Sequence, residues 1–354
     1  MISVVYVLLI ISSALSFQYE MQKPIKCMNF YGLETQYKNF VCSWKNQPEF
    51  FLRRLQQDMD INTIRVPFSY EYITGSDISK LQEIIQTCQQ LNIDIILDWH
   101  RTWSSHQGAV PEEGITLDIF VSAWINLLER FKVYPNVKGV GIFNEVQLLN
   151  DFPYVHKMHR YILPMLEAQF PNRFSYFIGC PSWGGNCSSM DFSDLTVWNK
   201  TYIEVHKYRF SGKSDRADWD VSIPASIPPE RWFVGEVGWK QTVDEDQTWA
   251  KGFLQYLVQR NITNACLWTI AHSGDTDGWF KDDCESFDED KAKEVTNTIW
   301  KKQQKHNLRL TFEKQNIFFD PSPLPPPPIV GGDNPIWTWP QWPHNFTFHE
   351  TVQP

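Results

Sequence analysis

The stretch KGVGIFNEVQ, residues 138–147, decides how the chain reads. It begins as an apolar strand, with Val140, Ile142 and Phe143 among two glycines. It then delivers an amide and a carboxyl group side by side, Asn144 and Glu145. A buried strand that ends in two polar side chains needs a structural frame, and the rest of the chain supplies one.

Seven other short runs have the same apolar character: 25–32, 61–68, 93–100, 174–181, 201–208, 232–239 and 265–270. Apolar residues at helical spacing fill most of the gaps, in PEFFLRRLQQDM, ISKLQEIIQTCQQL, LDIFVSAWINLLERF, YVHKMHRYILPMLEAQF, DQTWAKGFLQYLVQR and DEDKAKEVTNTIWKKQQK. The segment from Cys187 to Lys200 lacks a clear helix, and 209–231 reads as a loop rich in Pro, Ser and Asp. Strands apolar on both faces and separated by helices favour a parallel sheet. Eight such units predict an α/β fold, a closed (β/α)8 TIM barrel.

The chain has 354 residues and is 42% hydrophobic, enough for one large core without a second domain. Its net charge of −9 argues against nucleic acid as a partner, because phosphate contacts need a basic surface. A neutral substrate suits that charge. The 16 Trp exceed what a core needs, and the surplus suits stacking on flat sugar faces.

The N-terminus, MISVVYVLLIISSALSFQYE, reads as a signal peptide cleaved near Phe17, so residues 1–16 are assigned to it and the mature chain is expected to be secreted. The alternative is an uncleaved anchor, but the run is short for a spanning helix and no other stretch is long enough. No stable membrane association is expected. Seven cysteines leave at least one unpaired. Cys88 falls on the apolar face of a predicted helix and reads as a buried free thiol. Proximity in sequence suggests the pairs 27–42, 180–187 and 266–284, out of the 15 pairings that six cysteines allow. Sequons at Asn186, Asn199, Asn261 and Asn345 suit a glycoprotein. The barrel domain is assigned to 17–320. Beyond it, PSPLPPPPIVGG reads as an extended spacer before a short tail with three Trp, over 321–354. That tail reads as disordered, as packed back on the barrel, or as a sugar-stacking strip.

In a barrel of this kind the C-terminal strand ends converge on one face, and active sites lie there. Asn144 and Glu145 are at such an end. So are Arg65 on the second strand, His100 on the third, His206 and Tyr208 on the sixth, Glu236 on the seventh and Trp268 on the eighth. Singly, each has a bland reading: an arginine paired with a structural carboxylate, a satisfied core histidine, a salt-bridge glutamate. Their joint placement favours a site. Two glutamates across a barrel mouth suit glycoside hydrolysis, in which a protonated carboxyl group donates to the leaving oxygen and an ionised one attacks the anomeric carbon. The two carboxyl environments must then differ. Arg65 is placed to hold Glu236 ionised by charge pairing. Tyr208 is placed to hydrogen-bond the same carboxylate, and Asn144 to bind a sugar 2-hydroxyl.

On these residues the chain resembles glycoside hydrolase family 5, whose members are retaining (β/α)8 glycosidases, and most of all its secreted bacterial-type endo-β-1,4-glucanases. The family's NWFGFET is matched by Asn29-Phe-Tyr-Gly-Leu-Glu-Thr35, its NTIRLPY by Asn62-Thr-Ile-Arg-Val-Pro-Phe68, and its ILD-x-HR by Ile96-Leu97-Asp98-Trp99-His100-Arg101. Asn144-Glu145, His206-Lys207-Tyr208, Gly235-Glu236-Val237-Gly238 and the loop Ser273 to Asp283 extend the match over about Lys26 to Asp283. The resemblance implies Glu145 as acid/base, Glu236 as nucleophile and Trp268 as a stacking floor, with Arg65, His100, Asn144, His206 and Tyr208 around them. It implies a β-linked polysaccharide as partner, a monomer, and no metal or organic cofactor. The chain departs from the pattern at Val146, where the family has proline. It departs again at Thr269-Ile270-Ala271-His272, where the family often has Ser-Trp-Asn-Pro, and in a third loop carrying Trp103 and His106. These departures leave β-mannan or mixed-linkage β-glucan as alternative substrates. A barrel that binds glycan without cleaving it is the reading from another class.

Overall fold

All eight apolar runs form strands: β1 (Lys26–Asn29), β2 (Thr63–Ser69), β3 (Asp94–Arg101), β4 (Val137–Gly141), β5 (Ser175–Gly179), β6 (Thr201–Tyr208), β7 (Trp232–Gly238) and β8 (Ala265–Leu267). Every neighbouring pair is parallel, and β1 also pairs with β8, so the sheet closes into a barrel in sequence order. The computed structural model describes residues 20–301 except 76, 106–113, 147–151, 189, 193–194, 196, 210–214 and 274–275. The chain divides into two units, Met1–Gln303 and Gln304–Pro354. The expected signal peptide, the tail at 321–354, His106 and Asn345 lie outside the described residues.

The predicted helices surround the strands: α1 (Pro48–Met59), α3 (Ser79–Gln90), α4 (Leu117–Phe131), α5 (Phe152–Gln169), α7 (Asp244–Gln259) and α8 (Glu289–Thr298). Their local signals are visible. Pro48 opens α1 at a position where its missing N–H costs nothing, and Phe51, Leu52, Leu55 and Met59 form its buried face. Thr116 caps α4 by accepting from the Ile119 N–H. Among the described residues there are also two shorter helices, α2 (Tyr70–Ile73) and α6 (Arg216–Ser222). The second of these lies in 209–231, which reads as loop in the sequence. With seven residues and Trp219 as its one large buried anchor, it carries too little periodicity to be read. From Cys187 to Lys200 the described residues form only a single 3-10 turn, at Trp198–Lys200.

The core has two parts. One fills the space between strands and helices. The other plugs the barrel interior with Met21, Ile25, Cys27, Ile96, Phe177, Tyr202, Phe233 and Cys266. Phe177 stacks on Tyr202 with ring centroids 4.8 Å apart and meets Phe233 edge-on at 4.7 Å. An interior closed by apolar side chains leaves polar groups to the C-terminal mouth.

The disulfides correct the pairing taken from proximity. Cys180–Cys187 stands as expected, but the others are Cys27–Cys266 and Cys42–Cys284, spanning 239 and 242 residues. Barrel closure is the reason. Cys27 and Cys266 are register partners on β1 and β8, adjacent in the sheet although far apart in sequence. Cys88 is a buried free thiol, as expected. No helix among the described residues is long and apolar enough to cross a membrane. That and the three disulfides are compatible with an extracellular protein.

Candidate active site

Arg65 is the hub of the mouth. It projects from β2, fully buried, and its guanidinium reaches five other strands or strand ends. Nη1 donates to Asn29 Oδ1 at 2.9 Å and to Glu236 Oε1 at 3.1 Å. Nη2 donates to Asn144 Oδ1 at 2.7 Å, and lies 3.0 Å from Asp98 and 2.9 Å from Glu204. One cation thus faces three buried carboxyl groups, which hold its charge firmly in place.

The stretch 138–147 now has its explanation. The Trp124 indole of α4 donates to the Ile142 carbonyl at 3.1 Å, and the Asn144 N–H donates to the Trp99 carbonyl at 2.9 Å. These bonds fix the exit of β4, so that Asn144 meets Arg65. Asn144 Oδ1 accepts from Arg65, so its NH2 group faces His100 Nε2, 3.3 Å away. An amide NH2 only donates, so Nε2 of His100 accepts and Nδ1 carries the proton to Asp98 Oδ2 at 2.9 Å. Burial keeps that imidazole well below its ordinary pKa, and hence neutral, with Arg65 acting in the same sense. His100 also stacks on Trp268, centroids 5.5 Å apart and planes 13° apart.

Glu145 has φ +41°, a left-handed backbone that a non-glycine residue adopts at some cost. Its Oε1 lies 2.9 Å from His206 Nδ1. The other ring nitrogen of His206 lies 3.1 Å from Glu204 Oε1. Both nitrogens therefore face carboxylates. Burial opposes a charge there, but Glu236 and the bonds to Glu145 and Glu204 outweigh it, and the pKa rises to about 10. A register shift between Val205 and His206 sets His206 opposite Glu236, and its Nδ1 is 3.7 Å from Glu236 Oε2. Two glycines make room. A Cβ on Gly235 would fall 2.0 Å from Glu204 Oε1, and one on Gly184, at φ +71°, would fall 2.9 Å from the His206 ring.

Glu236 is held from two sides, by Arg65 on Oε1 and by the Tyr208 hydroxyl donating to Oε2 at 2.6 Å. The expected pairing with Arg65 is present, but it does not set the balance alone. Burial and the Glu145 charge raise the Glu236 pKa above the ordinary carboxylate value, against the pull of His206, Arg65 and the Tyr208 bond. Burial and Glu236 itself keep Tyr208 protonated, so it remains a donor.

All eight residues picked from the sequence thus join one connected set. Three partners of the set do not stand out in the sequence: Asn29, Asp98 and Glu204. Asp98 and Glu204 stand two residues before His100 and His206, on the same face of their strands, and that spacing was the available signal. Asn29 lies within a quoted motif. Trp183 follows Cys180 in a disulfide-closed loop, is 43% exposed, and its N–H donates to the Val146 carbonyl at 3.2 Å. Glu145, His206 and Glu236 bring one ligand atom each within 4.8 Å of one another, a spacing able to hold a cation. The Nδ1 proton of His206 and the Arg65 charge balance the same carboxylates.

Comparisons with known proteins give a family and a fold. A family model described as cellulase, glycosyl hydrolase family 5, matches residues 21–306. Comparison with curated protein sequences gives no match. Among solved structures, a cellulase in complex with an inhibitor is 20% identical, with TM-score 0.69 over 78% of this chain and 92% of that one. An endocellulase of Pyrococcus horikoshii, solved with cellotetraose, is 20% identical with TM-score 0.66, over 77% and 92%. The catalytic domain of the major endoglucanase of Xanthomonas campestris pv. campestris is 18% identical with TM-score 0.66, over 80% and 98%. At these identities the likeness shows the fold, while the family match covers most of the chain: it is a glycoside hydrolase and belongs to the cellulase family, glycosyl hydrolase family 5.

Proposed function

We propose that the chain is a secreted, retaining endo-β-1,4-glucanase that acts by double displacement, with Glu236 as nucleophile and Glu145 as acid/base. The observation that carries this is the spacing of the pair, with carboxylate oxygens of Glu145 and Glu236 within 4.8 Å. Retaining enzymes set the two groups about 5–5.5 Å apart, whereas inverting ones leave about 6.5–9.5 Å for a water. The division of roles follows from the surroundings. Glu236 is 4% exposed and held by Arg65 and Tyr208, which aims one oxygen at a fixed point. Glu145 is 21% exposed, and so able to reach both a leaving oxygen and solvent.

In the first step a Glu236 oxygen bonds to the anomeric carbon as the glycosidic bond breaks, and the Glu145 proton goes to the leaving oxygen. In the second, Glu145 takes a proton from water, which attacks the same carbon and releases Glu236. The Asn144 amide is the group for the sugar 2-hydroxyl, and Trp268 is the floor beneath the ring. A cellulose-like glucan is supported by the structural neighbours, one of which, an endocellulase, was solved with cellotetraose. β-Mannan and mixed-linkage glucan are the alternative substrates. The observation that favours them is the altered loop after Trp268, where the Tyr31 hydroxyl donates to the His272 carbonyl at 3.0 Å and its ring packs 5.6 Å from Trp268. Secretion fits the three disulfides, and N-glycosylation fits the exposed sequons Asn199 and Asn261. The test is reducing-end release from carboxymethylcellulose, barley β-glucan, glucomannan and mannan, beside a Glu145→Gln control. Release from a glucan that the control loses supports the assignment. Release from mannan alone moves the substrate, and no release from a folded protein that binds glycan overturns the hydrolytic reading.

A further inference from the structure

Lys291 is fully buried and sits in the first turn of α8. A cation there opposes the helix dipole, so the helix gains nothing from the charge itself. Its partners lie elsewhere. Nζ donates to the Trp239 carbonyl at 3.1 Å and to the Asp277 carbonyl at 2.5 Å. It also lies 4.1 Å from the ring centroid of Trp279 and 4.6 Å from that of Trp239. These two indoles meet edge to face at 5.6 Å. The ammonium group thus sits in a box of two carbonyls and two ring faces, each favourable to a cation.

The box joins the two segments that carry the catalytic mouth. Trp239 lies three residues beyond Glu236, at the exit of β7. Asp277 and Trp279 belong to the loop after β8, which begins at Trp268. The Asp277 N–H donates to the same Trp239 carbonyl at 3.2 Å, and the Trp279 N–H donates to the Thr269 carbonyl at 3.2 Å. The Trp268 N–H donates to the Val237 carbonyl at 2.9 Å. Thr276 packs on Gly238 so closely that a Cβ there would fall 2.8 Å from its Cγ2. We propose that Lys291 is a positioning residue: its ammonium group locks the exit of the Glu236 strand to the loop that carries Trp268. The inference rests on the catalytic roles given above for that glutamate and that tryptophan.

The charged groups around Lys291 come from two segments, the loop after β8 and α8 with its cap. Asp277 lies on the β8 loop, Asp288 caps α8, and Glu294 lies one turn on along the helix. His272 is 3.9 Å from Asp277. Burial pulls the Lys291 pKa down to about 7, and the three carboxylates only partly offset it. The lock therefore carries its full charge below neutral pH and loses it above.

The test uses the full chain with Lys291→Met and Lys291→Arg. In Lys291→Met, kcat is expected to fall about 10–100-fold, the scale of a slightly misplaced catalytic group, with KM changed far less. Wild-type kcat is expected to show a limb with a midpoint near 7. Lys291→Met should lack that limb, and Lys291→Arg should lack it while recovering part of kcat. A folded Lys291→Met with wild-type kcat and an unchanged pH profile overturns the proposal. If Lys291→Met does not fold, the wild-type chain decides by NMR. The Lys291 ε-carbon, identified by its contacts to the Trp239 and Trp279 rings, is titrated beside the Trp268 indole, which Trp268→Phe assigns. Movement of the Trp268 signal with the Lys291 midpoint supports the lock, and an unmoved Trp268 signal overturns it. This readout needs no turnover, so it is independent of whether the chain hydrolyses glucan.

Discussion

Glu145 and Glu236 share one imidazole: His206 Nδ1 lies 2.9 Å from Glu145 Oε1 and 3.7 Å from Glu236 Oε2. The opposite nitrogen is anchored on Glu204. The ring is therefore held as a cation between the two reacting groups, a fixed charge that needs no rearrangement during the reaction.

That charge has a consequence for stability. The folded pKa of His206 is raised to about 10, against about 6.5 in an unfolded chain. Its contribution is complete below pH about 6.5 and is lost as pH rises through about 10. The melting temperature should therefore fall across that window, and His206→Gln should flatten the fall. Thermal unfolding at a series of pH values checks this, and equal slopes in the two proteins would count against a buried imidazolium.

Arg65→Ala leaves Asp98, Glu204 and Glu236 buried without their shared cation. Breaking a buried ion pair in this way costs about 3–5 kcal/mol. The substitution also removes a group that favours ionised Glu236, so the acidic limb of kcat/KM should move to higher pH. Urea unfolding and a pH–rate profile measure the two effects, and an unmoved limb would argue against the Arg65 role.

Glu145→Gln should lower kcat on cello-oligosaccharides by about 10²–10⁴-fold, the usual worth of a general acid. An activated aryl glycoside, whose leaving group needs no proton, should lose far less in its first step. Burst and steady-state kinetics on the two substrates distinguish this from simple damage to the site, which would slow both alike.

Cys27–Cys266 ties the first strand to the last. Replacing both cysteines by alanine should cost about 2–5 kcal/mol while sparing the mouth geometry. Chemical denaturation beside an activity assay reads the two separately.

Much of this was legible in the sequence because barrel strands are apolar on both faces, so polar residues stand out where the strands end. Arg65, His100, Asn144, Glu145, His206, Tyr208, Glu236 and Trp268 were found that way. What was not legible depends on closure. The pairing of Cys27 with Cys266 is a register fact between strands 239 residues apart, and no local spacing encodes it. Asp98 and Glu204 do not stand out because each lies inside a strand, where a carboxylate looks like a structural partner. Only the meeting of three strands on one guanidinium gives them their role. The α6 helix escaped because its two turns rest on a single large buried side chain.

Double displacement by a closely spaced carboxylate pair fixes the stereochemistry of the product. Proton NMR of the anomeric region during the first minutes of cello-oligosaccharide hydrolysis tests it most directly. Double displacement predicts that the β-anomer of the new reducing end appears first, followed by slow mutarotation to the α-anomer. First appearance of the α-anomer would mean inversion and would contradict it.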